Sequence, residues 1–92
     1  MRSGVTTDIW VAALVRRAQA AGAFATVVRR GDAERGDVLV KVSPERGRAR
    51  LYAPAFTLDG PAERRVRADR DLWVVEIEDK EGRHFLTERV RA

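Results

Sequence analysis

The lone histidine and the acidic residues before it are the side chains best suited to acid–base chemistry. His84 follows Glu78 and Asp79 across a short polar turn. A carboxylate beside an imidazole can make a general base near neutral pH. The chain has no cysteine, and neither Ser3 nor Ser43 lies in a nucleophile setting. We therefore expect a cross-strand contact between His84 and an acid, and we do not expect an enzyme.

Acidic residues cluster near the same turn, at Glu76, Glu78, Asp79 and Glu81. Several carboxylates can hold a hard divalent cation. Basic side chains are expected close by, at Lys41, Arg50 and Arg83. We therefore predict salt bridges rather than a metal site, and no motif for a small-molecule cofactor accompanies them.

The most basic stretch of the chain contains Arg64, Arg65, Arg67 and Arg70. With Arg48 and Arg50, these cations could contact phosphates, which makes a nucleic-acid-binding accessory protein the alternative hypothesis. Acidic residues dilute the stretch, at Glu63, Asp69 and Asp71. Since no nucleic-acid-binding motif is present, a solvated linker is the simpler interpretation.

Tyr52 is the aromatic residue that we expect at the surface. It shares a strand face with Arg50, opposite Leu51. Tyrosine and arginine are enriched where proteins contact each other, so we predict this pair as a partner-binding site. Trp10 and Trp73, in contrast, fall at core-facing positions, and we expect them to lie close together.

The composition excludes several classes of protein. Without cysteine there is no disulfide framework, and no stretch approaches the length of a membrane span. Asp8 and the pair Arg16-Arg17 argue against a signal peptide, so we expect a cytoplasmic protein. The net charge of +4 comes from 18 basic and 14 acidic residues that are interleaved, which indicates a mixed surface.

A helix is predicted over residues 7–21. Thr7 offers an N-cap hydroxyl, Asp8 a first-turn carboxylate, and Gly22 a terminator. Its predicted core face consists of Trp10, Val11, Leu14, Val15, Ala18 and Ala21. Residues 1–6 lack an apolar period, and we expect them to be frayed.

Apolar alternation predicts the strands. From Ala23 the period changes to two, with Phe24, Thr26 and Val28 alternating with Ala25, Val27 and Arg29, and this predicts the first strand. Two hairpins follow, over residues 37–53 and 72–88, with polar turns that end at Gly47 and Gly82. The loop of residues 31–36 is predicted to be a plain hairpin loop, and residues 57–70 an irregular link or a short helix.

Several segments together resemble a small bacterial family called domain of unknown function 1491: residues 9–11 with 16–17, residues 22–25 with 28–31, residues 51–54, and residues 71–86. The resemblance covers nearly the whole chain, and its most distinctive part is the last run. The chain departs from the family pattern over residues 56–70, where the family carries a longer connection with an extra helix. The resemblance implies a shared fold and no activity, cofactor or catalytic residue.

Together these patterns predict one α+β domain, with the N-terminal helix packed on a roughly five-stranded antiparallel sheet built from hairpins. We place Phe24, Leu51 and Trp73 on the helix-covered face, and Tyr52 on the opposite, charged face. The leading hypothesis for function is a non-enzymatic module that binds a protein partner or itself, through an exposed sheet face or a free edge strand.

Overall fold

A computed structural model describes residues 5–45, 47–54, 70–87 and 90–91 of the protein. One helix, α1 (Thr7–Ala20), precedes the strands. The strands are β1 (Phe24–Arg29), β2 (Val38–Glu45), β3 (Arg48–Pro54), β4 (Trp73–Glu78) and the two-residue β5 (Val90–Arg91). Within the described residues, no helix is both long and apolar enough to cross a membrane.

Helix α1 starts one residue earlier than the N-cap prediction allows. Thr6 is the N-cap, and Thr7 is fully buried, with its hydroxyl donating to the carbonyl oxygen of Gly36 at 3.0 Å. At the other end, Gly22 has φ 89°, and the amide of Ala23 donates to the carbonyl of Ala18 at 2.9 Å. This left-handed glycine cap is the predicted terminator.

The sheet is mixed, which corrects the expectation of a fully antiparallel one. Four strands form its body in the order β1-β4-β2-β3, and β5 adds two residues beside the end of β3. β1 is antiparallel to β4 and β3 is antiparallel to β2, but β2 and β4 are parallel. The connection from Pro54 to Trp73 is long enough for the crossover that parallel neighbours require.

The second predicted hairpin is wrong for the same reason. β4 lies between β1 and β2, so both of its edges are already paired when the chain leaves Glu78. Residues 79–87 form no strand, and β5 pairs with β3 instead. The first predicted hairpin, between β2 and β3, is confirmed, and Gly47 in its turn has φ 84°.

The core lies between α1 and one face of the sheet. Trp10 and Trp73 are both buried there, 8% and 1% exposed, in one cluster with the helix residues Val11, Leu14 and Ala18. The sheet contributes Val38, Val40, Val42, Val75 and Ile77. The predicted core roles of both tryptophans are confirmed.

In two strands, the side chains on the core side are not the ones predicted to lie there. In β1, Ala25 is 6% exposed and pairs with Ile77, whereas Phe24 is 66% exposed. In β3, Tyr52 pairs with Val40 and therefore shares the core side, whereas Leu51 pairs with Lys41 on the other face. Apolar alternation sets the period of a strand, but its cross-strand partners decide which phase is buried.

The loop of residues 31–36 joins β1 to β2 across the start of β4, so it is not a hairpin loop. A Cβ on Gly31 or Gly36 would lie 2.1 or 2.2 Å from the carbonyl oxygen of Asp71. The indole Nε1 of Trp73 donates to the Asp32 carbonyl at 2.7 Å. The two glycines therefore allow the close backbone approach on which this crossing depends.

The same loop also closes the start of α1. The amide of Asp8 donates to the carbonyl of Ala33 at 2.9 Å, and the amide of Thr7 to that of Glu34 at 3.3 Å. First-turn amides have no acceptor within a helix. Here loop carbonyls supply acceptors for two of them, which joins the N-terminus of α1 to the sheet.

Candidate functional site

A tight turn after β4 places several charged side chains next to the β2–β3 hairpin. The amide of Gly82 donates to the carbonyl of Asp79 at 2.8 Å, and Gly82 has φ 70°. The amide of Asp79 donates to the backbone carbonyl of Ser43 in β2 at 3.1 Å. Because β2 and β4 are parallel, their C-terminal ends lie side by side, and the 79–82 turn therefore lies next to the closed end of the β2–β3 hairpin.

An internal ion pair holds the 79–82 turn. The Arg83 guanidinium donates to both carboxylate oxygens of Asp79, from Nε at 2.9 Å and from Nη2 at 2.7 Å. The backbone amide of Arg83 adds a third bond at 2.9 Å. These hydrogen bonds lower the pKa of Asp79 to about 2, since they favour the ionised carboxylate, and the same pairing raises the pKa of Arg83.

Arg17 of α1 fixes the backbone that follows this turn. Phe85 has φ 60°, an uncommon conformation for a residue with a side chain. Arg17 of α1 donates to the Phe85 carbonyl from Nε at 3.2 Å and from Nη2 at 2.9 Å. The Arg83 guanidinium lies 4.9 Å from the centre of the Phe85 ring. These contacts direct the chain back across the core side of the sheet.

His84 packs on Tyr52 rather than on an acid. The two ring centres are 4.9 Å apart at an interplanar angle of 55°. The Nδ1 atom of His84 accepts a hydrogen bond from the Leu86 amide at 2.9 Å. The predicted His84–acid contact is therefore wrong for Asp79, whose carboxylate is held by Arg83.

An open groove of about 370 Å³ lies between the β2–β3 hairpin and the 79–82 turn. Its lining consists of Val42, Pro44, Arg48, Ala49, Arg50, Tyr52, Lys80, Glu81 and Gly82. We call it the basic groove, since three of these residues are cationic and one is acidic. It contains both predicted partner-binding residues, Tyr52 and Arg50.

The charges of the basic groove are unequally paired. Arg48 contacts Glu45 at 3.2 Å, and Glu81 lies 3.7 Å from the Arg83 guanidinium. Arg50 and Lys80, in contrast, form no ion pair with any residue that the structure describes. Two of its cations are therefore unpaired within the described part of the chain.

The structure leaves most of the predicted arginine cluster aside. Arg64, Arg65 and Arg67 lie outside the described residues, and Arg70 is exposed in the turn before β4. The sequence did not single out Lys80 as a neighbour of Arg50. Lys80 lines the same groove as Arg50 because β2 and β4 are parallel. No local pattern in the sequence indicated that pairing.

Three of the four clustered acids, Glu76, Asp79 and Glu81, form ion pairs, whereas Glu78 forms none with any residue that the structure describes. Lys41 lies 3.4 Å from Glu76 on the face away from α1, and Asp79 pairs with Arg83. Within the described ranges, no group of three or more histidine, cysteine or acidic side chains is arranged to hold a metal ion.

A second surface lies along the outer edge of β1, whose described strand partner is β4. Three of its apolar side chains are exposed: Phe24 at 66%, Val28 at 59% and Val27 at 39%. The register shifts between Val27 and Arg29, which leaves Val28 as a bulge. This edge differs from the basic groove because its exposed residues, Phe24, Thr26, Val27 and Val28, are uncharged and mostly apolar.

Solved structures share this fold. A crystal structure of a DUF1491 family protein from Caulobacter crescentus CB15 is 51% identical over 96% of this chain and 98% of that chain, with a TM-score of 0.80. An NMR structure of a DUF1491 family protein from the same organism is 50% identical, over 96% and 97%, with a TM-score of 0.75. The solution structure of protein Atu0922 from A. tumefaciens is 32% identical, over 91% and 93%, with a TM-score of 0.73.

No curated protein matches the chain. A family model described as Protein of unknown function (DUF1491) matches residues 5–63 and 57–87. The two matched segments overlap over residues 57–63, within the stretch of residues 56–70 where we expected a departure from the family pattern. On the family match and the structural likeness together, this chain belongs to the DUF1491 family of proteins of unknown function.

Proposed function

We propose that this protein is a non-enzymatic binding module that contacts proteins through the edge of β1 that pairs with no described strand, and that its partner there is a second copy of itself. The observation that carries the proposal is the exposure of Phe24, Val28 and Val27 on one edge strand, at 66%, 59% and 39%. An edge strand with apolar side chains is a template for a further strand.

The pattern of β1 favours pairing with itself. An antiparallel contact centred on Thr26 places Phe24 of each copy beside Val28 of the other. A two-fold axis makes this contact twice, so two Phe24–Val28 pairs cover the two most exposed apolar side chains of each copy of the strand. Residues 24–28 carry no charge, so no like charges meet across the centre of the contact.

The chemistry of the described residues supports binding rather than catalysis. Both carboxylate oxygens of Asp79 accept hydrogen bonds from Arg83, and Nδ1 of His84 accepts one from the Leu86 amide. Neither group is arranged as a base beside a nucleophile. We place this activity in the cytoplasm, a reducing compartment with which a cysteine-free chain is compatible.

Sedimentation equilibrium from micromolar to millimolar concentration tests the proposal. We expect the wild-type protein to form a dimer as its concentration rises, and Phe24→Ser to weaken that dimer. Ile9→Ser is the matched control, because Ile9 is an apolar residue of similar exposure, 61%, that belongs to α1 and not to β1. A wild-type protein that stays monomeric throughout, or a dimer that Phe24→Ser leaves intact, contradicts the assignment.

A further inference from the structure

We propose that the basic groove binds a phosphomonoester dianion through Arg50 and Lys80, with Tyr52 as the wall that receives the group attached to the phosphate. This site is independent of the β1 edge and of its proposed self-contact. The ligand chemistry has two natural sources, a small phosphorylated metabolite such as a nucleoside monophosphate, or a phosphorylated side chain of another protein.

The charge of the groove matches a dianion. Arg48 is paired with Glu45, and Glu81 lies beside Arg83, so these charges are largely balanced within the protein. Arg50 and Lys80 remain, each without an ion pair among the described residues. Two unpaired cations balance one phosphomonoester, which carries a charge of about −1.5 to −2 near pH 7.

The side chains of Arg50 and Lys80 are suitable hydrogen-bond donors for the oxygens of a phosphate group. Arginine offers a planar fork of N–H groups, and the ammonium of lysine acts as a compact point charge. Arg50 projects from β3 and Lys80 from the 79–82 turn, so the two cations approach the groove from different elements. A phosphate seated between them would contact both walls.

The site is preorganised by the contacts that hold its walls. The amide of Asp79 is bonded to Ser43, and its carboxylate is clamped by Arg83. The turn that carries Lys80 is therefore attached to β2, whose partner strand β3 carries Arg50. A preformed site loses less conformational entropy when it binds a ligand.

The groove has room for more than the phosphate. Its volume of about 370 Å³ is at the lower end of the range typical of small-ligand sites. Tyr52 is half-buried, and its ring is supported by His84 at 4.9 Å. A supported aromatic ring offers a flat apolar surface and a hydroxyl to the group that carries the phosphate.

An NMR titration with inorganic phosphate at constant ionic strength tests the site. We expect saturable shifts of the backbone amides of Arg50, Tyr52 and Lys80. Arg50→Gln and Lys80→Gln should each raise the Kd about tenfold or more, because each removes a charge-assisted contact. Arg16→Gln is the matched control, an exposed arginine on α1 whose loss should leave the Kd unchanged.

Two further titrations distinguish the sources of the phosphate. Adenosine monophosphate that binds more tightly than inorganic phosphate, with added shifts at Tyr52, indicates a metabolite. A phosphoserine peptide that binds more tightly than adenosine monophosphate indicates that the ligand is a phosphorylated side chain of another protein. Shifts that do not saturate with phosphate, or a Kd that Arg50→Gln and Lys80→Gln leave unchanged in folded variants, overturn the proposal.

Discussion

Asp79 and Arg83 form a bidentate ion pair across a four-residue interval, with N–O distances of 2.9 and 2.7 Å. The Asp79 side chain is 5% exposed, whereas that of Arg83 is 41% exposed. This pair stabilises the 79–82 turn and so positions Lys80 beside the β2–β3 hairpin. The geometry of the basic groove therefore depends on a carboxylate that is nearly buried.

Asp79→Asn should alter the dependence of stability on pH. The pKa of Asp79 falls from 3.8 to about 2 on folding, so its ionised form stabilises the native state above pH 3.8. That stabilisation is lost as the pH falls through the interval towards 2. Urea unfolding should show the wild type more stable than Asp79→Asn at pH 7, with the difference shrinking as the pH approaches 2. A difference that is the same at both ends of the interval would show that the pair does not act through this ionisation.

Thr7→Val should destabilise the protein by removing a buried hydrogen bond. The Thr7 hydroxyl is fully buried and donates to the Gly36 carbonyl at 3.0 Å. Without it, a buried carbonyl loses a donor, at a cost of about 1–3 kcal/mol in the free energy of unfolding. Thr26→Val is the matched control on the exposed side of β1, where we expect a change within about 0.5 kcal/mol. Equal effects at the two positions would contradict the role given to Thr7.

Gly36→Ala should disrupt the crossing of the 31–36 loop over β4. A Cβ there would lie 2.2 Å from the Asp71 carbonyl oxygen and 2.8 Å from Cδ1 of Trp73. We expect a loss of about 3 kcal/mol or more in the free energy of unfolding, with a shift in the tryptophan fluorescence.

Gly47→Ala is the comparison for that variant, since a Cβ at Gly47 meets no atom within 4 Å and only its φ of 84° is strained. Its cost should be about 1–2 kcal/mol, without a change in fluorescence. A Gly36→Ala protein with wild-type stability would refute the close approach.

Nucleic-acid binding through the arginine stretch remains the alternative function. Under the proposed function, labelled single- and double-stranded nucleic acid should show no affinity at moderate salt. An affinity that falls steeply with salt would indicate phosphate contacts and counterion release. If charge reversal at Arg65 and Arg67 then abolished that affinity, the alternative would replace the proposal.

Local patterns predicted the local elements well. The apolar period placed Trp10, Val11 and Leu14 on the buried face of α1, and Gly22 at its end. The alternation in β2 and the glycine at position 47 predicted the first hairpin. In each case the signal and the structure that it specifies lie within a few residues of each other.

Long-range pairing was beyond these patterns. Phe24 and Ala25 both suit an alternating strand, and only the pairing of Ala25 with Ile77 decides which one is buried. The pairing of Val40 with Tyr52 likewise places Tyr52 on the core side. The sequence did not predict the basic groove, because Arg50 and Lys80 line the same groove only as a result of the parallel pairing of β2 with β4.

The most direct test of the proposed self-contact is an isotope-filtered NOE measurement on a mixture of labelled and unlabelled chains. At a concentration where the dimer forms, we predict intermolecular NOEs between the ring of Phe24 and the methyl groups of Val28. Intermolecular NOEs confined to other surfaces, or none in a sample shown to be dimeric, would contradict the β1 edge as the site of contact.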